Sequence, residues 1–335
     1  MNPANRPGEF ETIRRFFAPL AKDVPGAMNL TDDAALLNME EGKQLVVTSD
    51  ALVAGVHFLP DDPPADIAVK ALRVNLSDLA SMGALPLAYT LAAAYDPTVD
   101  DKWLAAFSSA LSEDQRQFGI SLIGGDTVAT PGPLTLSICA FGTVDQGTAL
   151  TRSGAQTGDA LFLSGTIGDA ALGLDVLKRK ITGVSEADGG YLIDRYRRPK
   201  PRCRLGPRLS GLANAAIDVS DGLVADLRHV CEASGVSAVV DLSCLPLSDE
   251  ARRVAKQIED GYSRILTGGD DYEILFTAPV DRKDAVIELS SEIALPLTEI
   301  GRIVETVDNR ARAEVEIVDD SGRRLSFSGG GFRHF

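Results

Sequence analysis

The chain is short of cysteine and histidine, has no basic excess and has no long apolar run, and each shortage removes a class of function. Its four cysteines, Cys139, Cys203, Cys231 and Cys244, stand singly with no C-x-x-C pair. That spacing excludes a disulfide framework and a zinc site, and it predicts reduced, mostly buried thiols. The three histidines, His57, His229 and His334, are too dispersed to suggest a metal centre of their own. A net charge of −15 argues against a nucleic-acid partner, whose recognition needs a basic face. No stretch approaches the roughly 20 apolar residues of a membrane span. The segment Met1 to Gly8 lacks the basic-then-apolar pattern of a secretory signal. A cytoplasmic location is therefore expected. There is also no Walker A loop, no paired-glycine dinucleotide fingerprint and no protein-kinase catalytic loop.

What is present is ordinary globular material. The 335 residues, 44% hydrophobic and 24% charged, are enough for two domains with a sizeable core. Helices are predicted over 9–20, 67–82, 103–118, 169–180 and 221–234, and strands over 44–48, 87–94, 121–123, 134–144, 159–164 and 215–219. Strands and helices alternate, so the fold class is mixed α/β, read as two α/β sandwich domains. A break at Asp145-Gln146-Gly147 divides them into 1–147 and 148–335. Gly165-Thr166-Ile167-Gly168 either nests a phosphate or makes a tight strand-to-helix turn. The basic run Arg195, Arg197, Arg198, Lys200, Arg202 and Arg204 reads as a solvated loop.

The chemistry lies in the aspartates. Asp32-Asp33, Asp50, Asp126 and Asp218 each fall at the edge of a predicted strand or in its following turn, and Asp221 is expected to begin a helix. On the helix 67–82, Ala71, Asn75, Asp78 and Met82 share one stripe, so two polar residues interrupt an apolar helix on one face. Taken singly, Asp32 and Asp221 serve as helix caps and Asp126 as a turn former. Gathered together, each like-charge pair at ~5 Å would cost about 3 kcal/mol at an effective dielectric of 20. Such a gathering requires cations. All candidate ligands are oxygens, which selects a hard ion, and magnesium suits carboxylates spread over several loops. Aspartate and magnesium without His-Cys chemistry point to phosphate substrates.

In order along the chain, several segments resemble the thiamine-monophosphate kinase family, within the superfamily of aminoimidazole ribonucleotide synthetase and selenophosphate synthetase. They are Asp32-Asp33-Ala34-Ala35, Thr48-Ser49-Asp50 with Gly55-Val56-His57-Phe58, Asn75 through Ala84, and Gly124-Gly125-Asp126-Thr127. The second half adds Leu150 to Gly154, Gly165 to Ala170, Asp218-Val219-Ser220-Asp221-Gly222-Leu223, Gly268 to Glu273 and the tail Gly331 to Phe335. The ordered set, over roughly residues 9 to 335, is far more specific than any single piece. The resemblance implies ATP-dependent phosphorylation of thiamine monophosphate to thiamine diphosphate, assisted by several Mg2+ ions. It implies Asp33, Thr48, Ser49, Asp50, Asp78, Asp126, Asp218 and Asp221 as magnesium ligands. Gly125, Asp126, Arg152 and Ser220 would contact ATP, and His57, Asp270 and the position of Gly329 the thiamine phosphate. It further implies a homodimer whose first domains pair across a two-fold into a β-barrel, the second domain completing the active site.

Three positions depart from the family pattern. Thr31 stands where a glycine usually precedes the paired aspartates, Asp270 replaces a glutamate, and Gly329 replaces an aromatic residue, leaving Phe327 or Phe332 as candidates to stack on the substrate. The rival readings are another ATP-dependent member of the superfamily, such as a ribonucleotide cyclase or a selenophosphate synthetase, and a non-catalytic sensor. A selenophosphate synthetase usually carries a reactive cysteine and a lysine near its N-terminus, whereas the first cysteine here is Cys139, inside a predicted strand. A non-catalytic nucleotide or metal sensor would not need every candidate ligand retained. Without the resemblance, His57 reads as a polar residue packed at a strand end.

Overall fold

A computed structural model of the chain describes residues 8–306 and 313–325. It has a mixed α/β architecture in two compact units. The first takes the chain up to Leu79 and Ala84–Gly147; the second takes Ala80–Gly83 and everything from Thr148.

The first unit opens with α1 (Glu9–Thr12), a five-residue π turn (Ile13–Phe17) and α2 (Ala18–Ala21) in one helical run. Then follow β1 (Lys43–Val53), α3 (Pro64–Ser81), β2 (Leu85–Tyr95), α4 (Asp101–Phe118), β3 (Ser121–Ala129) and β4 (Thr135–Asp145). The sheet order is β1-β4-β2-β3, antiparallel except for the β2–β3 pair, which α4 connects. Helix α4 starts where the Asp100 carboxylate accepts from the Trp103 amide at 2.8 Å and stops at Gly119 in the left-handed region. Arg73 of α3 clamps Asp114 of α4 with two hydrogen bonds, at 2.8 and 2.7 Å, and lies over the Phe118 ring.

Two expectations about this unit change. Strand β1 runs on through Ser49 and Asp50, paired along its whole length with β4. Strand β3 does not end at Ile123 but continues through Gly124-Gly125-Asp126, so those residues form strand and no turn. Glycine is required there because a Cβ on Gly125 would run into the Leu91 carbonyl of β2. Gly-Gly-Asp therefore marks a close strand approach here.

The second unit contains β5 (Ala160–Ser164), α5 (Asp169–Leu177), α6 (Glu186–Arg197), β6 (Ala215–Asp218), α7 (Leu223–Ser234), β7 (Ser237–Asp241), α8 (Asp249–Ala255), α9 (Gly261–Thr267), β8 (Ile274–Ala278), α10 (Lys283–Ile293), β9 (Leu297–Val304), β10 (Val315–Val318) and β11 (Arg324–Leu325). Its sheet order is β11-β10-β7-β9-β5-β8-β6. Alternate residues of the central strands feed two cores: Leu161, Leu163, Ile217 and Leu275 pack on one side, Phe162, Ala216, Ile274 and Phe276 on the other. Burial of both faces explains why these strands read as continuous apolar runs.

Three further expectations are corrected, two in this unit and one across both. Helix α7 begins at Leu223, so Asp221 lies in the turn before it. The thiols are not mostly buried: Cys231 is, Cys139 and Cys203 are half-buried and Cys244 is exposed. The basic run is not a solvated loop throughout. Arg195 is buried inside α6 and pairs with Glu273 at 2.9 Å, and Arg202 joins the same carboxylate.

Candidate active site

The first unit gathers its candidate residues into two groups. Strand register places Thr48 opposite Ala140 and Asp50 opposite Ile138, in the rows that reach Tyr89 and Leu91 of β2. On that face the Thr48 hydroxyl donates to the Asp78 carboxylate of α3 at 2.5 Å. Burial first, then the charge of Asp78 and a hydrogen bond with it, push the Asp50 carboxyl up to about 6. Two carboxyls held this close, beside a hydroxyl, form a donor set suited to a hard divalent ion. Helical spacing, readable in sequence, and alternation along a strand longer than predicted produce this group.

The second group lines a cleft of about 880 Å3 whose floor includes Ile13, Phe17, Leu91 and Ile123 and whose wall carries Asp32, Asp33, Gly125 and Asp126. Asp33 donates its amide to the Asp32 carboxylate at 3.0 Å, and the Asp126 carboxylate accepts from the Thr127 amide at 2.8 Å. Just before the paired aspartates, Met28, Asn29 and Leu30 all have positive φ (48°, 55° and 57°). Thr31, the residue in place of the family glycine, closes this turn by donating its hydroxyl to the Met28 carbonyl at 2.7 Å.

These two groups do not meet within the unit. Strands β1 and β3 are the opposite edges of the sheet, three spacings of roughly 4.8 Å apart. Asp126 pairs with Ala92, in the row of Ser137 and Ala51, the opposite face from Thr48 and Asp50. Ser49 shares that opposite face, paired with Cys139, so its hydroxyl points away from Asp78. Among the described residues no three His, Cys, Asp or Glu side chains stand together as a ready metal-binding group. His57 accepts a hydrogen bond from the Val53 amide on Nδ1 at 3.0 Å, which orients the ring.

In the second unit, Asp218, Ser220, Asp221 and Asp270 come together. The turn after β6 and the segment 268–273 are hydrogen-bonded to each other: the Asp270 amide donates to the Ser220 carbonyl, the Tyr272 amide to the Val219 carbonyl and the Val219 amide to the Glu273 carbonyl, each at 2.8 Å. Asp270 and Tyr272 both have positive φ, 72° and 53°, and the Tyr272 hydroxyl donates to the Asp270 carboxylate at 3.1 Å. Strain of this kind persists only where the surroundings over-determine the backbone. Here a buried knot does so. Glu273 accepts from Ser164 at 2.6 Å and from Arg195 and Arg202, while Asp271 accepts from the Gly168 amide at 2.7 Å and the Ala170 amide at 3.3 Å. Burial drives the Asp271 carboxyl well above its ordinary range. With the Gly168 amide so occupied and the Gly165 and Ile167 amides donating to the Pro296 and Pro246 carbonyls, Gly165 to Gly168 is a tight strand-to-helix turn and not a phosphate nest.

Arg152 stands apart from this cluster. It lies on an exposed loop tied to Ser234, at the far end of α7 from Asp221, roughly 18 Å along the helix axis. Gly329 and the tail residues Gly331 to Phe335 lie outside the described residues, with Phe327, Phe332 and His334 among them. Sequence reasoning missed Asp226, Asp271 and Glu273. The available signal was an acidic side chain on an apolar helix face or just before an apolar strand, as with Asp226 among Leu223, Val224, Ala225 and Leu227.

Comparison with known proteins agrees with this picture. Residues 31–144 match the AIR synthase related protein, N-terminal domain, and residues 156–314 the AIR synthase related protein, C-terminal domain. The chain is 43% identical to thiamine-monophosphate kinase of Salmonella typhimurium over 331 residues, 98% of each chain. It resembles the crystal structure of thiamine-monophosphate kinase from Stenotrophomonas maltophilia at 44% identity and a TM-score of 0.79, covering 88% of this chain and 91% of that one. It also resembles AaThiL complexed with AMPPCP and TMP, at 30% identity and a TM-score of 0.77, covering 98% and 97%. On the family match and the near-full-length identity together, this chain belongs to the AIR synthase related family, in its thiamine-monophosphate kinase branch.

Proposed function

We propose that the chain transfers the γ-phosphoryl group of ATP to the phosphate of thiamine monophosphate, giving thiamine diphosphate, as the last step of that cofactor's biosynthesis in the cytoplasm. The observation that carries the reading is the Thr48, Asp50 and Asp78 group, an oxygen-only set whose two carboxyls repel until a cation arrives. The family's near-full-length match supplies the substrates.

The acceptor needs no general base. A phosphate monoester has its second pKa near 6, so its oxygen is largely deprotonated at neutral pH. Catalysis then rests on aligning two polyanions. Magnesium, when bound, supplies the positive charge that cancels their mutual repulsion. Asp33, Thr48, Asp50, Asp78, Asp126, Asp218 and Asp221 would hold it with side-chain oxygens. Ser49, on the other face, would contribute its backbone carbonyl. Gly125, Asp126, Arg152 and Ser220 serve ATP, the open Gly125 backbone on the cleft wall fitting close approach of phosphate. His57 and Asp270 serve thiamine monophosphate, with Gly329 in the family's ring-binding position.

A homodimer belongs to this reading. Leu45, Val47, Leu85 and Val128 are all exposed, and strand register sets all four on the sheet face away from Asp50 and α3. Exposed apolar side chains at both ends of this sheet face fit closure of two sheets into a barrel. A second copy also answers the separation of Asp50 from Asp126, because its β3 edge can bring an Asp126 toward the β1 edge of the first. The function is tested by incubating purified protein with ATP and thiamine monophosphate and separating the products. Thiamine diphosphate should form with Mg2+ and not with excess chelator; its absence under both conditions would refute the assignment.

A further inference from the structure

Asp226 sits in none of the family's quoted positions, yet it organises the turn that carries two of them. It lies in the first turn of α7 with its side chain buried. Its Oδ2 accepts hydrogen bonds from three successive amides, Ser220 at 3.0 Å, Asp221 at 3.0 Å and Gly222 at 3.1 Å. The other side of the same turn is held by the 268–272 segment. Asp270 donates its amide to the Ser220 carbonyl at 2.8 Å. A Cβ on Gly269 would strike that carbonyl, and Gly222, at φ +117°, has the Thr267 and Gly268 backbone 2.8–2.9 Å from where a Cβ would be. The backbone of 220–222 is thus gripped from both directions, and only the side chains of Ser220 and Asp221, both half-buried, are left to project.

We infer that Asp226 is a positioning residue for the nucleotide end of the reaction: by tying down the three amides it fixes Ser220 and Asp221 in the orientation that receives ATP and its cation. The inference rests on the role proposed above for Ser220 and Asp221. A carboxylate is suited to the task because one oxygen can accept several converging N–H groups at a helix N-terminus, where the dipole also favours negative charge. Without it, three amides would be left to water or to one another, and the turn would sample other conformations.

The test compares Asp226→Ala, Asp226→Ser and Asp226→Asn with Ser220→Ala and Asp221→Asn. Binding of AMPPCP with Mg2+ is measured by calorimetry, and amide hydrogen exchange is followed over 219–223. Asp226→Ala and Asp226→Ser should weaken AMPPCP binding at least tenfold, raise the KM for ATP in step and leave the KM for thiamine monophosphate within twofold. Exchange of the three amides should speed up at least tenfold while the β5, β8 and β6 core stays protected. Asp226→Asn, which keeps a carbonyl acceptor, should restore binding to within threefold of the parent. Two results would overturn the inference. If Ser220→Ala and Asp221→Asn bind AMPPCP like the parent, the role assigned to the turn fails and the positioning role goes with it. If those two are impaired but either folded Asp226→Ala or Asp226→Ser binds within twofold of the parent, the turn's role stands and Asp226 does not position it.

Discussion

Replacing Asp50 by asparagine should make the metal-free protein more stable and the enzyme inactive, and the structure gives the size of the gain. Asp50 is half-buried beside Asp78, and burial together with that charge lifts its carboxyl from 3.8 to about 6. A carboxyl raised in the folded state contributes stability that is complete below its unfolded pKa and is lost as pH rises through the folded one. The window is therefore pH 3.8 to about 6, and above it the native state carries two charges held against each other. The difference corresponds to about 3 kcal/mol for a wholly sequestered group; partial solvent access brings it to roughly 1–2 kcal/mol. Asp50→Asn removes the repulsion and keeps the side chain's shape. Urea unfolding can be followed through Trp103, the chain's single tryptophan, which stacks on Phe107 in the first unit. At pH 8 with chelator the variant should exceed the parent by about 1–2 kcal/mol, and near pH 4 the gap should close. Mg2+ should then stabilise the parent and not the variant. A variant equal to or weaker than the parent at pH 8, or a gap that does not depend on pH, would refute the like-charge argument.

Glu273→Ala removes the carboxylate that Arg195 and Arg202 share inside the second unit. Leaving the buried Arg195 guanidinium with only the Asp169 carboxylate at 3.5 Å should cost about 3 kcal/mol, visible as a lower urea midpoint by circular dichroism, while Glu273→Gln should cost less. Val47→Glu places a charge on the exposed apolar sheet face. It should shift the sedimentation behaviour from dimer to monomer and leave Trp103 fluorescence native, whereas a dimer of unchanged affinity would remove that face from the interface.

Much of the site was legible because local periods carry it. The i, i+3 spacing of Asn75 and Asp78 shows in the sequence, whereas the alternation that sets Asp50 beside Thr48 needs β1 to run past its predicted end at Thr48. The extension of β3 was not legible, because Gly-Gly-Asp has the chemistry of a turn, and only the neighbouring Leu91 carbonyl explains why glycine is needed inside a strand. Nor was the separation of Asp50 from Asp126, which depends on strand order and not on either residue's neighbours. The buried fate of Arg195 depends on Glu273, 78 positions away. No local pattern distinguishes it from the exposed arginines beside it. Pairings of this length are fixed by tertiary packing.

The central claim is that carboxylates on opposite edges of the first unit's sheet act on the same phosphoryl transfer, and mixing two inactive variants tests it. Asp50→Asn and Asp126→Asn chains, each inactive alone, should regain activity when co-expressed in equal amounts and purified together without separating the dimers. Random pairing restores about a quarter of the normal sites, since half the dimers are mixed and each has one intact site. Thiamine diphosphate formation near that level would support the account. A mixture no more active than its two parents would show that Asp50 and Asp126 are not supplied to one site by two chains.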